Sequence, residues 1–246
     1  MSRASGPTYL LTAEVGHPFI AMVLHLVEKQ EVRSVCDFGG GANPVLSLDD
    51  IQRLGLRYLV VDASAEELAK TPPGYWTRAL DLPTAPPVDL GGERFDLVVS
   101  KFVAEHVEDP AAFHTAVWDA LRPGGFAAHF FPTLPSLPFV ANRLLNGRES
   151  RRLIDLLQPG LRDRSGPFRK FRAYYRWCRG PSRRQYRRFE SQGFEVVDYV
   201  VLVGHRYYER FPAVQRAVDR VSRRAICLRQ PALSTYAWVV LRRPRL

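Results

Sequence analysis

The strongest constraint in this sequence is a point where an apolar run stops on glycine. Arg33-Ser34-Val35-Cys36-Asp37-Phe38 ends at Gly39-Gly40-Gly41. A short run of that character reads as a buried strand, and the glycines as a tight loop where the backbone can approach a ligand closely. Asn43 and Pro44 supply an N-cap and a first-turn proline, so a helix is expected to begin there. Strand, glycine loop and helix in succession are the ligand-binding turn of an open α/β sheet.

The same grammar recurs downstream. Arg57 to Asp62 is a second strand ending in an acid, and Ser64 with Glu67 forms a capping box for the next helix. Tyr75 to Leu80 is a weaker third strand closed by Asp81. Phe95 to Ser100 is a fourth, followed by a helix capped at Asp109-Pro110, and Phe126 to Phe131 is a fifth. Strands alternating with helices at this spacing predict βαβ units and a mostly parallel sheet with helices on both faces. Upstream, Tyr9 to Glu28 reads as an amphipathic helix. A helix over about 182–192 leads to a strand, Phe194 to Val203, and the last strand runs from Ser234 to Leu241. One domain over 1–246 is expected, with an N-terminal helix over about 8–30. Two insertions interrupt the pattern: a cap over about 132–180, too long for an ordinary connection, and a second over about 204–231, helical between Phe211 and Ile226.

Asp62 lies about twenty residues beyond the glycines, where a carboxylate can accept both hydroxyls of a ribose. Asp81 stands where an adenine amino group could be bound. A glycine loop alone also serves dinucleotides. Asp37 before the glycines, and no Gly-x-x-Gly after them, favour a zwitterionic ligand carrying a sulfonium over a pyrophosphate.

Asp37-x-Gly39-x-Gly41, Asp62, Asp81, Phe95 to Ser100, Glu105-His106-Val107 and Leu121-Arg122-Pro123-Gly124-Gly125 resemble the ordered motifs of class I S-adenosylmethionine (SAM)-dependent methyltransferases. The similarity is greatest to the UbiE-like small-molecule branch and extends well over about residues 30–131. It implies a Rossmann-like seven-stranded sheet with SAM across the carboxyl ends of the first strands. It further implies that Asp37, Gly39 and Gly41 surround the methionine part, Asp62 the ribose, and Asp81 with Leu82 the adenine. Gly40, Ala63, Ser100 and Lys101 complete the candidate cofactor set. Ala42 stands where the family often has a third glycine.

Methyl transfer from a sulfonium needs in-line placement and, for a hydroxyl acceptor, a general base. His106, His205 and His129 are the candidates: His106 after the fourth strand, His205 at the start of the second insertion, and His129 inside the fifth strand, where a core role competes. Tyr174, Tyr175, Arg176, Arg179, Tyr207 and Tyr208 are candidate substrate-shaping residues.

Charge separates the partner classes. The chain carries a net charge of +10, and the stretch from Arg162 to Arg188 holds the whole excess. Its arginine–aromatic core, Phe168 to Arg179, fits an anionic or saccharide acceptor, an anionic membrane surface, or nucleic acid, against a plain solvated face. No RNA-binding module is recognisable, so a small-molecule or glycan acceptor is favoured. Pro132-Thr133 and the Arg176-Trp177-Cys178-Arg179-Gly180-Pro181 stretch point the same way. The rivals are an RNA methyltransferase and a non-catalytic SAM-fold partner protein. Three scattered cysteines (Cys36, Cys178, Cys227) have no metal-ligand spacing, so no metal is expected. With no signal-like apolar start, they fit a reducing cytoplasm, peripheral membrane contact being one reading of the basic segment.

Overall fold

Period-two burial along the strands decides the architecture. In β2 (Ser34–Phe38), β5 (Phe95–Lys101) and β6 (Leu121–Pro132), one set of side chains, Val35, Leu97, Val99, Ala128 and Phe130, packs against Phe19, Val23 and Val27 of α1 (His17–Lys29). The alternate set, Cys36, Phe38, Val98, Ala127 and Phe131, packs against Phe113 and Val117 of α4 (Pro110–Ala120) and Phe189 of α5 (Arg183–Glu190). Strands buried on both faces need apolar residues at every position, which is why they read as continuous apolar runs. A computed structural model describes residues 6–11, 17–80, 90–134, 172–205, 208 and 210–245.

The remaining strands are β1 (Thr8–Leu11), β3 (Arg57–Asp62), β4 (Trp76–Ala79), β7 (Glu195–Val203) and β8 (Tyr236–Arg242). The sheet runs β1-β7-β8-β6-β5-β2-β3-β4, with β8 antiparallel to both its neighbours and every other pair parallel. The expected seven strands are there, and β1 adds an eighth at the edge beside β7. The N-terminal helix is correspondingly shorter than expected. Thr8 to Leu11 form a strand because Val200 to Val203 offer an open ladder, and the described helix spans His17–Lys29. Chain order reverses between β2 and β5: from β2 the sheet grows through β3 to β4, from β5 through β6. That switch point opens a crevice at the carboxyl ends of the two strands.

A second correction falls beside the glycines. No helix starts at Asn43-Pro44; α2 (Leu48–Arg53) begins later, capped by Ser47. The amide of Val45 is taken by the Asp37 carboxylate at 2.7 Å and that of Leu46 by the Tyr58 hydroxyl at 3.2 Å. The amides that an Asn43 cap would hold are thus taken by side chains of β2 and β3, and Val45 and Leu46 are buried. Asp109 caps as expected, accepting from the amides of Ala111 and Ala112; of the expected capping box only one half forms at the start of α3 (Ala65–Leu68), where Ser64 accepts from the Glu67 amide while its own amide donates to Asp62. The helix of the second insertion, α6 (Pro212–Cys227), packs on β7 and β1. No helix among the described residues is long and apolar enough to cross a membrane.

Candidate active site

Asp37 braces the glycine loop from below. Its Oδ2 accepts from the Tyr58 hydroxyl at 2.6 Å and from the Val45 amide, closing the loop onto β2 and β3. Its Oδ1 is buried with no hydrogen-bond partner. Burial pushes the carboxyl up to about 6, opposed by the Tyr58 and Val45 bonds and by the positive charge of Lys101. The glycines have no room for side chains. A β-carbon on Gly40 would lie 2.8 Å from Asp37 Cγ and 2.9 Å from Val60 Cγ1. One on Gly41, whose φ is +35°, would lie 2.7 Å from Asp62 Oδ2, and one on Gly39 would run into Val103.

Asp62 therefore shares one rim with the loop. Its Oδ1 accepts from the Ser64 amide at 2.8 Å, which orients the carboxylate, and burial raises its pKa. Ala63 is exposed beside it. Lys101 ends β5 next to β2, half-buried; burial lowers its pKa, while the Asp37 charge works the other way. Oriented acids, an unpaired buried carboxylate oxygen and an ammonium thus stand around one glycine loop. That donor set fits a zwitterion with a ribose better than a pyrophosphate. Asp81 and Leu82, expected at the adenine, lie outside the described residues.

Ser100 does not belong to this crevice. Its Oγ is 2.8 Å from His129 Nδ1, on the α4 side of the sheet. His129 is corrected with it. At 1 % exposure it packs against Phe113 and His114, and burial holds it well below its ordinary value of 6.5, so no acceptor reaches it without opening the core. Thr133 is likewise spent inside the fold: its Oγ1 donates to the Ser234 carbonyl at 2.5 Å.

His106 follows the strand that ends at Lys101. It closes a single 3₁₀ turn, Ala104–His106, immediately beyond β5. Its Nδ1 is 2.9 Å from the Arg172 carbonyl, which only accepts, so Nδ1 carries the proton and Nε2 the lone pair. Burial lowers its pKa from 6.5, partly offset by that carbonyl. The ring is thus a neutral base near pH 7. The backbone that places it is strained: Phe102, between Lys101 and the turn, has φ +60° and packs its ring on Phe130 and Tyr236.

His205 stands elsewhere. It follows β7, three strand spacings from β5 and therefore roughly 14 Å along the sheet. Its ring packs on Tyr208 and its carbonyl accepts from Gln215 of α6. These two residues belong to the α6 insertion and not to the crevice. Tyr207 lies outside the described residues.

Of the cap, residues 135–171 also lie outside, but its end is docked on the site. The amides of Tyr174 and Tyr175 both donate to the Glu105 carbonyl, at 2.7 and 3.1 Å, and the Tyr174 hydroxyl donates to Glu108. Arg172 lies over the Tyr174 ring, and Arg176 is exposed beside them. Tyr175 is a correction: it is buried, with φ +51°, and works as a core residue. Arg179 is turned onto the carbonyls of Tyr175 and Cys178 and holds its own segment. Arg183 to Arg188 lie on α5, which buries only Gln185 and Phe189, as the solvated-face reading expects.

Sequence reasoning missed Glu105 as an individual residue. It is 5 % exposed, its Oε2 has no hydrogen-bond partner, its Oε1 is 4.0 Å from His106 Nε2, and burial pushes it up to about 8. The Glu-His-Val motif marked its position, but only packing shows that the carboxyl faces inward.

Residues 14–199 match the model of a methyltransferase domain family. Two curated relatives are both named ubiquinone biosynthesis O-methyltransferase. One, from Cereibacter sphaeroides (strain KD131 / KCTC 12085), is 37 % identical over 91 residues, 35 % of this chain and 35 % of the relative. The other, from Methylobacterium sp. (strain 4-46), is 38 % identical over 115 residues, 42 % of this chain and 43 % of the relative. Each match thus spans less than half of the relative's length. Among solved structures, the YcgJ protein of Bacillus subtilis is similar in fold, with a TM-score of 0.53 at 15 % identity, covering 94 % of this chain and 99 % of that one.

Proposed function

The chain belongs to the methyltransferase domain family and is a SAM-dependent enzyme, and from that premise we propose that it methylates a hydroxyl oxygen of a small-molecule acceptor, with His106 as the base. The observation that carries the reading is the fixed tautomer of His106, which leaves a lone pair on Nε2 at the carboxyl end of β5, one strand from the glycine loop. The names of the two curated relatives support oxygen as the acceptor atom.

When bound, SAM supplies an already activated methyl group, so the protein's work is placement and proton removal. Asp62 would hold the ribose hydroxyls, Asp37 Oδ1 and Lys101 the charged ends of the methionine part, and the bare glycines the close approach. His106 Nε2 would take the hydroxyl proton as the new O–CH₃ bond forms, and its Nδ1–H bond to Arg172 would carry the resulting imidazolium. Tyr174, Arg172 and Arg176 would border the acceptor; their cations suit an anionic or polyhydroxylated one.

Calorimetric titration with SAM tests the cofactor half. Asp62→Ala removes two charge-assisted hydrogen bonds and is expected to weaken binding about a hundredfold. Equal affinity in parent and variant would overturn the site. For the acceptor half, release of S-adenosylhomocysteine is measured with a catechol, a uronic sugar and RNA in turn. Turnover on the catechol or the sugar supports the reading. Turnover on RNA alone, or SAM binding without turnover on any of the three, would overturn it.

A further inference from the structure

The second insertion carries a surface that the methyl-transfer site does not use. Helix α6 turns Ser222 and Ala225 inward, over the carboxyl-terminal halves of β7 and β1, where they meet Gly204, Val201 and Val203. Beside that packed face runs an apolar line left in solvent. Val214, Val221 and Leu228 recur every seven residues, two helical turns apart, and are 47, 57 and 58 % exposed. Phe211 ahead of the helix, and Leu10 and Leu11 on β1, are exposed as well. On the far side of the line, Arg216, Arg220 and Arg224 recur every four residues, with Arg223 next to them. Among the described residues no carboxylate pairs with any of these four arginines. Asp219, the one acid on the helix, accepts from Gln215.

A helix with one face on the protein body, then an exposed apolar line, then a row of arginines has the form of an interfacial helix. The apolar line enters the acyl boundary, and the arginines lie at headgroup level with their stems along it. We propose that α6 docks this protein on an anionic lipid surface. The charge decides between occupants. A second copy would bring the same arginine row against this one, and nucleic acid would gain nothing from a bare valine–leucine line. An anionic bilayer answers both features at once. Docked so, the carboxyl edge of the sheet, between whose strands α6 is inserted, stands next to the membrane. The proposal does not depend on which acceptor is methylated.

Cys227, at the end of α6, is exposed, whereas Cys36 and Cys178 are buried, so a polarity-sensitive fluorophore on Cys227 reports on this helix. The full chain is mixed with phosphatidylcholine vesicles, with and without phosphatidylglycerol, and followed by co-sedimentation and by the probe. Binding to the anionic vesicles is expected, with a blue shift. The Arg216→Ala/Arg220→Ala/Arg224→Ala variant should bind about a hundredfold more weakly and Val221→Asp about tenfold. These side chains are exposed, and unchanged thermal melting of the variants verifies that they fold. Equal binding to neutral and anionic vesicles, or anionic binding that survives both variants, would overturn the proposal. So would a finding that these substitutions abolish RNA binding or self-association while vesicles are not bound.

Discussion

His106→Ala is expected to lower turnover by about a thousandfold while leaving SAM affinity unchanged. His106 is set by the 3₁₀ turn after β5 and by the Arg172 carbonyl, whereas Asp37 and Asp62 stand on β2 and β3, so the two effects are expected to separate. The pH profile carries the sharper test. Burial holds His106 below its ordinary 6.5, so kcat/KM of the parent should rise with pH through a value below 6.5 and then stay level. The variant should lack that rising limb. His205→Ala, about 14 Å along the sheet, should retain parent turnover. A thousandfold loss in His205→Ala with none in His106→Ala would place the base on the wrong strand.

Glu105→Gln is expected to make the protein more stable in mild alkali, by about 5 kcal/mol at full effect. The carboxyl is raised from 4.5 to about 8 in the folded chain, by burial. Its contribution is therefore complete below pH 4.5 and is lost as pH rises through 8, because the unfolded chain ionises freely and the folded one does not. Glutamine has nothing to ionise, so urea unfolding free energies of parent and variant should agree near pH 4.5 and diverge toward pH 8. The buried histidines act in the opposite sense. His114 is lowered to about 4 and His129 falls well below 6.5, both by burial, so their contribution is present above pH 6.5 and lost as pH falls toward 4. Parent and variant should share that acid limb. Parallel curves between pH 4.5 and 8 would show that Glu105 is hydrated and not enclosed.

Glu105 and His106 show how far sequence carries. The motif Glu105-His106-Val107 after a strand located the turn, but the inward Glu105 and the half-open His106 differ only in what packs on them. The 172–178 segment, more than sixty residues downstream, decides both. His129 and Ser100 failed as site residues for a related reason. Alternation along a strand buried on both faces says that successive side chains oppose one another. Which of the two faces meets α4 is settled by where the helices dock. At Asn43-Pro44 the local pattern read Asn43 as the cap, whereas the amides it would hold go to Asp37 and Tyr58 on β2 and β3, and the cap that forms is Ser47.

Local chemistry by itself determined the glycine loop, the acids at the ends of β2 and β3, the alternation of strands and helices, and hence the doubly wound sheet. Those features depend on backbone freedom, short-range caps and apolar periodicity, all written within a few residues of one another. Tertiary structure decided which histidine is enclosed in the core, which tyrosine is core, that residues 8–11 add a strand, and that α6 leaves a valine–leucine line beside its arginines. Each depends on contacts between segments far apart in the chain, which no local pattern encodes.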